Sequence, residues 1–280
     1  MEDRILKEFI KNALAEDRGD GDHTSLASID TEATGSARLI VKESGVIAGV
    51  RVAAEVFRQV DENLKIEFFV TDGDRIAPGD IAFHISGRQQ SLLLAERLVL
   101  NIMQRMSGIA TATAAYVEAV RGLGTLITDT RKTTPGMRFL EKEAVRLGGG
   151  VNHRMGLYDM IMLKDNHIDF AGGITGAIER THSYLKRTGR SLPVEVEART
   201  LKDVEEIMSV GGINRIMFDN FTVSDTAKAV KIVNGRFETE SSGGITKETV
   251  RAYAACGVDY ISVGALTHHI SSLDMSLKAI

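Results

Sequence analysis

After Ser107-Gly108 this chain repeats one pattern: a short β-rich run, a polar group at its end, then a helical stretch. The runs lie at residues 125–130, 159–164, 193–198, 215–219, 237–241 and 260–264, and helical spacing occupies 175–188, 201–209, 223–233 and 247–256. Thr200, Thr222 and Thr246 precede three of those helices as N-caps. Strands separated by helices return parallel to one another through crossovers, so the pattern predicts a parallel α/β barrel. The runs are too few to require eight strands.

A strand covered on both faces delivers its polar groups at its carboxyl end, where α/β folds keep their chemistry. Here Leu126-Ile127-Thr128 runs into Asp129, Arg131 and Lys132, and Met160-Ile161-Met162-Leu163 runs into Lys164. From Arg131 to His167, seven Lys or Arg stand against four Asp or Glu in a chain of formal net charge -4. That local surplus suits a substrate with several negative charges. Pro135-Gly136 and Gly148-Gly149-Gly150 mark turns where backbone can approach a ligand closely.

The remaining runs close on Glu195 and Glu197, on Asp219, on Ser241 and Ser242, and on Gly264. Any one of these alone reads as a loop residue facing water. Together they converge on one mouth. In Val-Glu-Val-Glu, Glu195 and Glu197 face one side while Val194 and Val196 face the helices, so two carboxylates point inward to hold a cation or steady positive charge on a reacting sugar. Glu240–Thr246 and Ser262–Leu266 occupy the loops where a barrel binds phosphate, with a helix amino terminus expected after Gly243-Gly244. His153, His167, His268 and His269 lack zinc-ligand spacing.

At 280 residues the chain suits a barrel with a smaller partner domain, and short strand runs at 37–41, 65–70 and 81–83 around a helix at 51–60 predict that partner ahead of it. A first helix at 3–16 docks by an apolar face, and Asp17–Thr24 reads as a solvated loop without the ligand pattern of a calcium site. The helix at 90–106 carries an apolar stripe too wide for a surface helix, which predicts a domain or subunit contact, and Arg97 sits inside it. Such an arginine either snorkels to water or carries its charge to a ligand. No Trp, 5% aromatics and a pI near 6.0 argue against a nucleic-acid surface. Met1-Glu2-Asp3-Arg4 does not resemble a signal peptide and no apolar run suits a membrane span, so a cytoplasmic protein is expected. The one cysteine, Cys256, reads as core.

Thr130-Arg131-Lys132-Thr133-Thr134-Pro135-Gly136, Gly148-Gly149-Gly150-Val151-Asn152-His153-Arg154, Lys164-Asp165-Asn166-His167, Val194-Glu195-Val196-Glu197, Asp219-Asn220-Phe221 and Ser241-Ser242-Gly243-Gly244 follow Ser107-Gly108-Ile109-Ala110-Thr111 in that order. This ordered set resembles the quinolinate phosphoribosyltransferases, the decarboxylating nicotinate-nucleotide pyrophosphorylases of NAD synthesis, across most of the chain. Tyr158 departs from the pattern, where a smaller residue is common. The resemblance implies an N-terminal α/β sandwich domain, residues 1–106, followed by an open seven-stranded α/β barrel, 107–268, with a tail at 269–280 that packs back on the first domain.

The reaction so implied joins quinolinate to phosphoribosyl pyrophosphate, with magnesium, giving nicotinate mononucleotide, pyrophosphate and carbon dioxide. By resemblance, Arg131, His153, Arg154 and Lys164 bind the diacid, and Arg97 joins them from the partner subunit of a homodimer. Lys132, Glu197 and Asp219 face the phosphoribosyl group as catalytic residues, the two carboxylates also holding magnesium directly or through water. Ser242, Gly243 and Gly264 cradle the 5-phosphate. A related transferase acting on another acid, a Schiff-base aldolase using Lys132 or Lys164, and a non-catalytic sensor of a phosphorylated metabolite are the rival readings.

Overall fold

A computed structural model describes residues 2–280. The chain divides into two compact units, residues 1–114, 134–149 and 269–280 in one and 115–133 and 150–268 in the other. In chain order come α1 (Glu2–Arg18), α2 (His23–Ser28), β1 (Thr34–Val41), β2 (Gly45–Val46), α3 (Val50–Val60), β3 (Lys65–Phe68), β4 (Arg75–Ile76), β5 (Ile81–Arg88) and α4 (Gln89–Ala119). Next are β6 (Leu126–Thr128), α5 (Arg138–Leu147), β7 (Ile161–Leu163), α6 (Asp165–Phe170), α7 (Ile174–Thr188) and β8 (Val194–Ala198). The chain ends with α8 (Leu201–Val210), β9 (Arg215–Asp219), α9 (Val223–Val233), β10 (Glu238–Ser242), α10 (Val250–Ala254), β11 (Tyr260–Ser262), α11 (Ala265–His268) and β12 (Met275–Ala279).

The first unit holds a four-stranded antiparallel sheet in the order β12-β1-β5-β3. Alternation drives it: Leu39 and Val41 on β1 and Phe83 and Ile85 on β5 are buried, and Phe83 meets Phe57 of α3 edge to face at 5.6 Å. Each such side chain contributes about 1.5–3 kcal/mol by leaving water. The tail supplies β12, whose Leu277 pairs with Leu39 of β1. Asp72, which reads as a turn residue, reaches back to accept the Gly49, Val50 and Arg51 N–H groups and so caps α3.

The helix expected over 90–106 runs on to Ala119. Ser107-Gly108 is a packing notch rather than a break: Ser107 Oγ accepts the Ala48 N–H at 2.9 Å, and a Cβ on Gly108 would collide with the Ser271 carbonyl. Most of the wide apolar stripe, including Leu92, Val99, Leu100, Ile102 and Met103, is buried within the chain, which removes the need for a second subunit to explain it.

In the second unit six parallel strands stand in the order β6-β11-β10-β9-β8-β7. The last strand pairs with the first, Ser262 against Thr128, and Val151 bridges to Thr128 on the other side of β6. Val151 is thus a one-residue seventh strand, and no pairing joins it to β7 among the described residues. The expected open α/β barrel is present. Thr200 and Thr222 cap α8 and α9 by accepting the Asp203 and Asp225 N–H groups. Thr246 does not cap a helix: it opens a turn to Thr249, and α10 starts only at Val250. Cys256 is not in the core: it is half-buried in the turn after α10, with Sγ 3.4 Å from the Val223 carbonyl, where the chain leaves the helix towards Gly257 at φ 86°.

Candidate active site

Alternation on the barrel strands sets the geometry. Val194, Val196 and Ala198 of β8 and Ile216 and Phe218 of β9 are buried on the helix side, so Glu195, Glu197, Arg215, Met217 and Asp219 face the interior. Registers place Ser262 beside Thr128, and Ser242 beside Asp219. The interior is therefore polar from its middle to its carboxyl end.

At that end lies a cleft of about 690 Å³. Its lining brings together Arg131, Lys132, His153, Arg154, Lys164, Glu197, Asp219, Ser242, Gly243 and Gly264, every substrate-binding or catalytic residue that the resemblance implied except Arg97, while Glu195 and Ser241 stay outside it. Arg97 is exposed on α4 in the other unit. The cationic surplus is also divided. Arg131, Lys132, Arg154 and Lys164 reach the cleft, while Arg138, Lys142 and Arg146 ride on α5 of the first unit.

The cations of the cleft are held close to one another. Burial, and then Arg131, push the Arg154 guanidinium down from its ordinary value, and Arg154 Nη1 donates to the Met160 carbonyl at 3.1 Å. The buried Nε of Arg131 has no hydrogen-bond partner among the described residues. A donor of that kind, sealed from water beside another guanidinium, calls for an anion. Lys164 is already engaged, its Nζ donating to Glu197 Oε1 at 2.7 Å while the Asp165 N–H reaches Oε2 at 3.2 Å.

Across the cleft, burial and the neighbouring Glu197 push the Asp219 carboxyl up from its ordinary value. Asn220 holds it, Nδ2 to Oδ2 at 2.9 Å, from a left-handed backbone with φ of 56°. The same Asn220 side chain occupies the space a Cβ on Gly243 would need, so only glycine fits there. No helix begins beside Gly243-Gly244. The loop itself lines the cleft, and α10 is too far along the chain to supply the amino terminus that the sequence suggested.

Two inward carboxylates on β8 have different fates. Glu197 lines the cleft, whereas Glu195 is buried beneath it, 2.9 Å from His153 Nε2. The same ring nitrogen lies 3.5 Å from Glu240 Oε2, and Nδ1 accepts the Arg154 N–H at 2.7 Å. His153, Glu195 and Glu240 also form a group of donors spaced to hold a metal ion. The sequence reading missed Tyr116 and His268 as lining residues, and took Glu240 and Thr246 only as the ends of a phosphate loop. The inward period on β10 could have signalled Glu240; Tyr116 lies deep in a helix where periodicity carries no such signal.

The chain matches known proteins over nearly its whole length. Residues 22–107 match the family of the quinolinate phosphoribosyl transferase N-terminal domain, and residues 109–278 that of the C-terminal domain. It is 46% identical over 288 residues to a chloroplastic nicotinate-nucleotide pyrophosphorylase [carboxylating] from Oryza sativa, covering 98% of this chain and 77% of that protein. A probable nicotinate-nucleotide pyrophosphorylase [carboxylating] of Bacillus subtilis is 42% identical, with 97% and 92% covered. The crystal structure of NadC from Streptococcus pyogenes superposes with a TM-score of 0.92 at 40% identity, covering 98% of this chain and 97% of that one. From both domain matches and these relatives, the chain belongs to the quinolinate phosphoribosyltransferase family.

Proposed function

We propose that this chain transfers the phosphoribosyl group of phosphoribosyl pyrophosphate to quinolinate with decarboxylation, forming nicotinate mononucleotide, pyrophosphate and carbon dioxide. The observation that carries the reading is the juxtaposition of Arg131 and Arg154, short of anionic partners, with the carboxylates Glu197 and Asp219 in one cleft. Quinolinate brings two adjacent carboxylates, which planar guanidinium forks match better than ammonium groups do. Arg131 and Arg154 take that role, with Lys164 as a third charge and His153 at the wall. Lys132 turns to phosphoribosyl pyrophosphate, and Ser242, Gly243 and Gly264 receive its 5-phosphate.

As pyrophosphate leaves, the ribose carbon gains positive charge, and Glu197 and Asp219 are the fixed carboxylates that oppose it. Their mutual repulsion also suits a hard cation, since magnesium takes a few carboxylates plus substrate oxygens. Bound there, it would neutralise charge on the departing pyrophosphate. Once the ring nitrogen is alkylated, its positive charge accepts the electrons freed when the adjacent carboxylate departs as carbon dioxide. Arg97, exposed and outside this cleft, is assigned to the cleft of a partner subunit in a homodimer. The compartment we assign is the cytoplasm, where a chain with one cysteine needs no disulfide.

Incubation with quinolinate, phosphoribosyl pyrophosphate and magnesium tests the reaction: nicotinate mononucleotide and carbon dioxide should appear together, and nicotinate should replace quinolinate poorly. Efficient use of nicotinate would sink the assignment. For the shared site, Arg97→Ala and Glu197→Ala should each be nearly inactive. Mixed under subunit exchange, they should recover roughly a quarter of wild-type activity, because half the dimers are mixed and each holds one intact site of two. No recovery despite exchange would place Arg97 outside the partner's site.

A further inference from the structure

The contacts of His153 suggest a different task from binding the diacid. Its N–H donates to Asp129 Oδ1 at 2.9 Å, its Nδ1 accepts the Arg154 N–H at 2.7 Å, and its Nε2 lies 2.9 Å from Glu195 Oε2 and 3.5 Å from Glu240 Oε2. Because Nδ1 receives a hydrogen bond, it carries no proton, and the ring proton must sit on Nε2, facing the carboxylates. Both ring nitrogens are thus turned to the protein. The residue lines the cleft with little but carbon.

The carboxylates are set from below. Glu240 Oε2 accepts Arg215 Nη1 at 2.8 Å, Arg215 stacks 3.7 Å over the Tyr260 ring, and Nη2 of the same arginine reaches Glu238 at 3.0 Å. Glu195 and Glu240 are fully buried. A purely structural acid in the floor of a barrel would sit against several donors, as buried carboxylates ordinarily do. Here neither oxygen of Glu195, nor Glu240 Oε1, nor His153 Nε2 has an aligned hydrogen-bond partner among the described residues, and the 2.9 Å approach of Nε2 to Glu195 Oε2 is a close polar contact that a small tilt of the ring would turn into a hydrogen bond. A metal ion among the three would lie against the Arg215 guanidinium, which disfavours it.

We propose that Glu195 and Glu240 are positioning residues: they fix the tautomer and tilt of His153, and His153 in turn anchors the backbone of Arg154, so that its guanidinium stands where one carboxylate of the substrate must bind. This deepens the quinolinate reading and rests on it. The arrangement follows the logic by which a buried acid orients a histidine in other sites, with the imidazole passing orientation to a neighbour instead of taking part in the chemistry.

The first measurement is on the wild-type protein. Nitrogen-detected NMR of its histidines should place the His153 proton on Nε2, with Nδ1 bare, and saturating quinolinate should leave that state unchanged. A proton on Nδ1, or a change of tautomer on binding, would overturn the proposal. The second uses variants. Glu195→Leu removes the carboxylate that faces Nε2 and should raise the KM for quinolinate about tenfold, the value of one buried polar contact at about 1.4 kcal/mol per decade. Glu195→Gln keeps an acceptor and should lose less. His153→Asn keeps an acceptor for the Arg154 N–H and should likewise lose less than His153→Leu.

In every variant the KM for phosphoribosyl pyrophosphate should move far less, which also shows that the barrel is folded. Equal losses for both substrates, or His153→Asn as damaged as His153→Leu, would mean that His153 is a ligand or only a structural plug. Should Glu195→Leu fail to fold, the tautomer and the two conservative variants still decide. Stoichiometric metal removed by a chelator, with loss of the His153 signal pattern, would replace the proposal by a metal site. Failure of wild-type protein to bind quinolinate would instead remove the underlying assignment, and the tautomer measured without ligand keeps the two failures apart.

Discussion

Both units bury carboxylates, and they treat them in opposite ways. In the first, Asp61 accepts Arg88 Nε at 2.9 Å, Ser91 Oγ at 2.9 Å and the Asn63 N–H at 3.1 Å, and these donors, the Asn63 N–H foremost, hold its carboxyl down at about 2. Glu141, fully buried, takes Arg105 Nε at 2.8 Å and the Thr134 N–H at 3.1 Å. In the barrel, burial pushes Glu195 and Glu240 up to about 7, and oxygens of both lack donors. The first unit closes its charges on itself. The second leaves Arg131 Nε without a partner at the rim and oxygens of Glu195 and Glu240 without donors at the floor, and the first of these is the condition of a site built to be completed by an anion.

Removing one charge from each region breaks the comparison most sharply. Arg131→Leu should lower kcat/KM by roughly 10²–10³-fold, the value of a lost charge-assisted fork at about 1.4 kcal/mol per decade, while thermal stability holds or rises. Arg105→Leu should do the reverse: it strands buried Glu141, so stability should fall by about 3–5 kcal/mol in urea while the KM values of the folded fraction stay put. If Arg131→Leu unfolds the protein and Arg105→Leu does not, charge is matched in the wrong unit and the contrast is false.

The pH dependence of stability separates the same regions with a smaller effect. Glu195 and Glu240 bind protons more tightly folded than unfolded, so stability should decline as pH rises from 4.5 to about 7 and level off above it, by a few kcal/mol at most. Asp61 has the opposite sign, its contribution being present above pH 3.8 and lost as pH falls through about 2. Urea midpoints across this range should show both arms, and Glu240→Gln should flatten only the neutral one. A midpoint that is level from pH 4.5 to 7 in wild-type protein would mean the floor carboxylates are not strained.

Much of this was legible in the chain because barrel strands obey a period of two and end in chemistry. Glu197, Asp219 and Ser242 fall at strand ends, and counting from β8 and β9 was enough to aim them inward. The split of the basic stretch was not legible, since Arg138, Lys142 and Arg146 look like neighbours of Arg131 until α5 folds into the other unit. Ser107-Gly108 reads as a stop, and only a close-packed carbonyl from Ser271 reveals why a helix needs glycine there. Likewise Glu195 and Glu197 are indistinguishable by period. What separates them is depth, set by two residues of strand rise along β8, which leaves the first against His153 and the second against Lys164.

The smallest effect tests the join between β9 and β10, where one side chain serves both fold and site. Asn220 sits at φ 56°, a conformation that costs most residues about 1–2 kcal/mol but Asn less, and glycine least. Its backbone N–H donates to the Ser242 carbonyl at 2.9 Å and its Nδ2 holds Asp219 at 2.9 Å, so it ties the carboxylate to the glycine loop. Asn220→Ala should therefore lose about 1 kcal/mol of stability and raise the KM for phosphoribosyl pyrophosphate about fivefold, the loss of one partly exposed hydrogen bond. Asn220→Gly should keep the stability yet show the same rise in KM, because it relieves the backbone without restoring the amide. Equal stability in both variants would mean the left-handed turn carries no strain, and an unchanged KM in both would mean that Asp219 is held by other contacts.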